Sequence, residues 1–267
     1  MITREELLKN PGQVKIKALI NGPFGVGKTY TAMTFPKFAY AMVEPNGLAT
    51  AMSNPHLMAN LVYYEDFVAR KDESLKDTFT RISQFCDKVR EDMKAGKVES
   101  CILDNLTHYA ENRWMYMDAH EKSLYMTANG AVNSLQMYGG LGRFLYKTIL
   151  TEFVSLPGHV AVPVHEFEEE ENQQTPQGEK RVKTGRIISN VLGGFRKDAA
   201  GLFNVSMFLE RKAVGPGKYT FRARCIEGGG KPAKNNLNLP EFVENVSFQT
   251  LVEALGRGSG SATGGTV

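Results

Sequence analysis

The chain has 267 residues, 42% of them hydrophobic, which is enough for one large α/β domain with a sizeable core and sets aside wholesale disorder. No apolar run is long enough to span a bilayer, and the charged start Met1-Ile2-Thr3-Arg4-Glu5-Glu6 lacks the apolar stretch of a secretion signal. Three scattered cysteines without metal-ligand or disulfide spacing point to a reducing, cytoplasmic setting, and a net charge of +3 is too small by itself to argue for nucleic acid.

Residues 1 to 13 read as a short polar segment, 14 to 255 as the folded domain, and the Gly/Ser/Thr-rich stretch 256 to 267 as a disordered tail. Val14 to Ile20 reads as a strand. It feeds Gly22-Pro23-Phe24-Gly25-Val26-Gly27-Lys28-Thr29, which fits G-x-x-x-x-G-K-[ST] at every fixed position. Glycines let the backbone wrap a polyphosphate with several N–H groups pointing inward. Lys28 is a point charge for the β- and γ-phosphates, the Thr29 hydroxyl suits Mg²⁺, and Tyr30 follows at the loop's edge. A helix from Lys28 to Phe35, ended by Pro36, would aim its N-terminus at the phosphates.

Phe38 to Val43 reads as a buried strand ending at Glu44-Pro45-Asn46-Gly47, which puts a carboxylate at the sheet edge where ligands bind in open α/β folds. Leu61 to Tyr64 reads as a further short strand. Between Asp72 and Lys97, Leu75, Phe79, Ile82, Phe85, Val89 and Met93 recur at helical spacing and mark a packing helix. Ser100-Cys101-Ile102-Leu103-Asp104 is an apolar strand ending in a carboxylate, the pattern that holds Mg²⁺ opposite a phosphate loop. A helix is expected from Asn105 to about Met126. Residues 127 to 142, with Tyr138-Gly139-Gly140-Leu141-Gly142, read as a mobile loop or helix break, and Arg143 to Leu156 as a helix.

His159 to Val164 is a strand that sets His165 at its tip, a candidate sensor of the γ-phosphate. Glu166 to Gly185 is an exposed loop or hairpin carrying four consecutive glutamates, then Lys180, Arg181 and Lys183, with Arg186 just beyond. Phe195 to Phe203 reads as a short helix. Two strands follow: Val205, Met207 and Leu209 alternate on the first, and Tyr219, Phe221 and Ala223 on the second, facing a core. Arg222 and Arg224 then point the other way, as a candidate track for a DNA backbone, with an ordinary solvated face paired to Glu210 as the alternative. Gly228 to Asn236 reads as a flexible basic segment, and Ser247 to Leu255 as a last short helix.

Taken in order, Gly22 to Thr29, Glu44 to Gly47, Ile102 to Thr107, Tyr138-Gly139, Val164-His165-Glu166 and Ala233-Lys234-Asn235 with Leu239-Pro240 resemble phage-encoded P-loop ATPases with a RecA-like core, in particular the single-strand annealing recombinases. The resemblance covers about residues 12 to 242. It implies a mostly parallel sheet flanked by helices, with the sensor strand between the phosphate-loop and Asp104 strands; the two strands after residue 204 then add a C-terminal β-hairpin extension. It also implies ATP with Mg²⁺, head-to-tail homo-oligomers, single-stranded DNA as ligand, and a single-strand DNA-binding protein as a further partner. The regions 127 to 142 and 167 to 185 would be DNA-contacting loops, and Lys234, or Lys231, would reach a neighbour's γ-phosphate. The cytoplasm of a bacterial host would be the setting.

Two departures stand out. Asn46 occupies the place where the family has a water-activating Glu, which moves that role to Glu44 or implies slow hydrolysis. The segment Ala233-Lys234-Asn235-Asn236 lacks the family's Arg. A slow nucleotide-dependent switch acting on a protein partner stays open as an alternative. So does a small-molecule kinase, although no Arg-rich lid follows Asp104.

Overall fold

In the computed structural model, residues 14–68, 74–175, 178–192, 194–216 and 218–258 are described. The expected leading segment 1 to 13, and the tail beyond residue 258, lie outside them. The phosphate loop links β1 (Lys17–Gly22) to α1 (Lys28–Met33). Then come β2 (Phe38–Met42), α2 (Gly47–Met52), α3 (Pro55–Met58), β3 (Leu61–Asp66), α4 (Leu75–Lys94), β4 (Ser100–Asp104) and α5 (Leu106–Tyr116). A π turn (Met117–Glu121) and a 3₁₀ turn (Lys122–Tyr125) carry the helical path onward. They are followed by α6 (Ser134–Thr148), a second π turn (Ile149–Val154), β5 (His159–Thr175), β6 (Gly178–Ser189) and α7 (Phe195–Leu202). The C-terminal part holds β7 (Val205–Gly215), β8 (Lys218–Arg224), β9 (Lys234–Asn235), β10 (Phe242–Glu244) and α8 (Phe248–Gly258).

The sheet runs β10-β8-β7-β1-β5-β4-β2-β3. From β7 to β3 every pairing is parallel, while β8, β9 and β10 add antiparallel strands at the C-terminal side. The chain is therefore an α/β fold with a mixed, mostly parallel sheet flanked by helices. Strand β5 lies between β1 and β4, the order that the resemblance implies.

The strands read as continuous apolar runs because both of their faces are covered. Successive side chains point to opposite faces. Leu19, Ala41, Leu103 and Val162 pack with Phe85 and Val89 of α4 and Leu145 of α6. Ile20, Tyr40, Ile102 and Met207 pack on the other side with Ala32 and Met33 of α1 and Leu251 of α8.

Four expectations are corrected. The glycine-rich run at 138 to 142 is neither a loop nor a break, because it lies inside α6. Met137, Leu141 and Leu145, four residues apart, are all buried, and the burial of that face outweighs the helix cost of three glycines. Gly140 has a packing reason: a Cβ there would run into the Tyr125 hydroxyl group. Nearby, the Tyr138 ring stacks on Trp114 at 4.3 Å between centroids.

The basic segment 228 to 236 is tied down. Gly230 O accepts from Ile187 N at 2.8 Å, and Lys234-Asn235 forms β9 against β7. On β8, Tyr219 and Phe221 are exposed, and only Ala223 enters the core. This far along the hairpin the strand's predicted inner face is left partly open to solvent. At the tail, α8 reaches Gly258, so residues 256 to 258 are helical. The three cysteines, Cys86, Cys101 and Cys225, are buried and free. Among the described residues no helix is long and apolar enough to cross a membrane.

Candidate functional site

Parallel strands bring their C-terminal ends to one edge of the sheet, and the residues singled out by their strand-end positions meet there. Gly22, at the end of β1, pairs in register with His165 on β5. Met42, two residues before Glu44, pairs with Asp104 on β4. Gly25 and Gly27 have φ of 72° and 90°, so the loop's reversal uses backbone conformations that favour glycine. Lys28 is buried, and its Nζ donates to the carbonyl oxygens of Gly22 at 2.9 Å and Pro23 at 2.7 Å. Burial pulls its ammonium below the usual lysine value, while the carboxylates of Glu44, Asp104 and Glu166 act the other way.

Asp104 is fully enclosed. Its Oδ2 accepts from Thr29 Oγ1 at 2.8 Å and from Tyr40 OH at 2.8 Å. Its Oδ1 is buried without a hydrogen-bond partner among the described residues. Burial pushes the carboxyl up to about 6, against the two hydrogen bonds that favour the anion. An orphaned carboxylate oxygen beside a threonine hydroxyl is a donor set that fits a hard divalent cation such as Mg²⁺.

Asn105 organises the rest. It is the N-cap of α5: its Oδ1 accepts from His108 N at 2.9 Å and so fixes the amide's orientation. Its Nδ2 therefore faces the opposite way. It donates to Glu44 Oε2 and lies 3.1 Å from His165 Nε2. Glu44 and His165 are themselves 3.9 Å apart. Burial, with Lys28 and His108 nearby, lowers the His165 imidazole to about 4, so it is neutral at pH 7. Accepting at Nε2 puts its proton on Nδ1, a buried atom with no partner among the described residues. The Phe24 ring, 75% exposed, lies over the imidazole at 3.8 Å. A cavity of about 240 Å³ opens here, lined by Phe24, Gly25, Lys28, Thr29, Glu44 and His165 among others.

Glu44, His108 and His165 also offer ligand atoms within 4.8 Å of one another. Asn105 Nδ2 sits between two of them as a donor, so this cluster acts as a hydrogen-bond network rather than a cation cage. Asn105, Tyr40 and Phe24 were not legible as interacting parts of the network. For Asn105 the signal was present: a residue with N-cap chemistry directly after a strand-terminal Asp.

The other candidates lie elsewhere. Lys234 pairs in register with Ser206, level with Leu19, and its Nζ donates to Gly201 O at 2.8 Å. It does not approach the loop of its own chain. Lys231 lies 3.3 Å from Glu210 and 3.8 Å from Glu166. Arg222 and Arg224 both pair with Glu210, at 3.0 and 3.3 Å, and Arg224 also pairs with Glu241. Their geometry is the paired strand face expected as the alternative.

On the β5/β6 hairpin, Lys183 pairs with Glu168 at 2.7 Å and Arg186 with Glu169 at 3.7 Å. Lys180 and Arg181 are exposed and have no ion-pair partner among the described residues. Asn46, at φ 67°, is the left-handed N-cap of α2, and its side chain makes no capping bond. No protein-family model matches this chain, and no curated protein resembles it closely enough to count as a relative.

Proposed function

We propose that this protein is a RecA-like P-loop ATPase that binds ATP with Mg²⁺, hydrolyses it, and uses the cycle to control its grip on single-stranded DNA in annealing or recombination. The observation that carries the ATPase reading is the convergence at one sheet edge. Lys28 and Thr29 face Asp104, whose free oxygen suits a cation, and Glu44 and His165, joined through Asn105, line the cavity beside Lys28 and Thr29. In this reading Gly22 to Tyr30 cradle the phosphates, and Thr29 with Asp104 hold the cation. Glu44 orients or deprotonates the attacking water, and His165 reports the γ-phosphate.

The DNA part rests on the resemblance and on the path of β5. That strand passes without a break from His165 into the exposed hairpin that ends near Lys180 and Arg181. Head-to-tail assembly belongs to the same proposal, with Lys234 offered to a neighbouring copy, as do a single-strand DNA-binding partner and action in a bacterial cytoplasm during phage replication.

Asp104→Asn tests the cation site. Turnover with Mg²⁺ should fall on the order of a hundredfold, because an amide is a poor ligand for a hard cation. Mg²⁺-free nucleotide binding should stay within a few-fold. Superimposable Mg²⁺ titrations of variant and wild type would move the cation to another carboxylate.

The free cations on the hairpin test the DNA reading. Each phosphate contact on a single strand adds about −0.7 to the slope of log affinity against log salt. Replacing Lys180 and Arg181 with Ser should therefore flatten that slope by about 1.4 in anisotropy titrations of an oligo-dT strand. An unchanged slope and affinity would take the hairpin tip out of the interface.

One observation favours the slower reading as well. The Glu44 carboxylate is already held by Asn105, and a base so restrained suits a switch that binds ATP tightly and turns it over rarely.

A further inference from the structure

The phosphate loop has a second cavity on its other side. It measures about 450 Å³ and shares Gly25, Gly27 and Tyr30 with the phosphate cavity. Its character is different. The far wall is Phe221 of β8 with Asn245, Val246 and Ser247, the stretch between β10 and α8. Among the described residues, Gly25, Val26, Gly27, Tyr30, Thr31 and the far wall bring it no charged side chain.

Phe221 and Tyr30 are each 38% exposed, two aromatic rings left on the surface beside an anion-binding loop. The site is built rather than loose. Asn245 N donates to Phe221 O at 2.8 Å, and Thr220 Oγ1 donates to Asn245 Oδ1 at 3.0 Å. The second bond orients the Asn245 amide, whose Nδ2 has no partner among the described residues. Arg211 ties the wall to the loop: it donates to Gly25 O at 3.2 Å, and its guanidinium lies 5.7 Å from the Phe221 centroid.

A nucleotide has one anionic half and one flat aromatic half. The loop stands between a polar cavity with a lysine and an apolar cavity with two rings. We infer that the second cavity is the nucleobase subsite, taking a purine by stacking on Phe221 and Tyr30, with the Asn245 amide as the donor to a ring nitrogen. The walls described are uncharged, so recognition there is by ring surface rather than by charge. This inference rests on the phosphate-loop reading, and it makes the C-terminal strands part of the nucleotide site.

The test compares ATP with inorganic tripolyphosphate, which carries the phosphates without a base, by calorimetry on the full chain. Stacking of a base on an aromatic ring is worth enough that Phe221→Ala should weaken ATP about tenfold or more. Tripolyphosphate affinity should not change, and Phe221→Tyr should keep wild-type ATP affinity. Lys28→Ala should weaken both ligands. Thermal melts without ligand check that each variant is folded.

If ATP binds Phe221→Ala as well as wild type, or if ATP and tripolyphosphate weaken equally, the inference is overturned while the phosphate loop stands. If Lys28→Ala binds both ligands like wild type, the phosphate-loop reading itself has failed, and the base subsite falls with it.

Discussion

Lys28→Ala should leave a folded protein that has lost ATP turnover by on the order of a thousandfold. Lys28 Nζ is held between the carbonyl oxygens of Gly22 and Pro23, at the floor of the loop. Burial already destabilises its charge, so removing it relieves a cost and leaves two carbonyl groups to find water. Neither hydrophobic cluster depends on it: Val26, Ala32 and Met33 stay packed against β1 and β7. The melting temperature without ligand should therefore move by no more than a few degrees, roughly the effect of 1 kcal/mol in a domain of this size. Nucleotide affinity should fall with turnover, because the same ammonium meets the β- and γ-phosphates in ground and transition states. A folded variant with unchanged turnover would refute the assignment of the loop.

Glu44→Gln should also have a large effect, a fall of about a hundredfold or more in turnover with ATP binding kept within a few-fold. A glutamine carbonyl can still accept from Asn105 Nδ2, so the cluster should keep its shape. What it cannot do is take a proton from water. His165 is the neighbouring alternative. Its neutral imidazole keeps Nε2 as an acceptor, but Asn105 occupies that lone pair. Pre-steady-state binding separated from phosphate release distinguishes the two effects. Equal turnover in Glu44→Gln and wild type would mean that water is activated elsewhere or without a base.

Much of this site was legible because its signals are local. The phosphate loop is fixed by residue types at fixed spacing. Asp104, Glu44 and His165 each follow an apolar run whose end is plain in the sequence. Parallel pairing then brings such ends together without further information. What could not be read were the partners. That Asn105 would join Glu44 to His165 depends on the N-cap orientation of its amide. That Tyr40 would reach Asp104 depends on which face of β2 it takes.

The same limit explains the misreadings. Glycine composition suggested a break at 138 to 142, where tertiary burial of Met137 and Leu141 holds a helix. Alternation on β8 correctly separated two faces, but it could not tell that Tyr219 and Phe221 would stay exposed. Charge counting gave a basic strand. It offered Glu210 as a partner across the hairpin, the alternative that holds, but could not show that Lys231 would join Arg222 and Arg224 on that one carboxylate.

Inorganic phosphate release from Mg²⁺-ATP, measured with and without oligo-dT, tests the central claim most directly. The account predicts a slow but measurable rate for the wild type, a rise when the single strand is added, and neither in Lys28→Ala. A folded wild-type protein that neither binds ATP nor releases phosphate, with or without DNA, would contradict it.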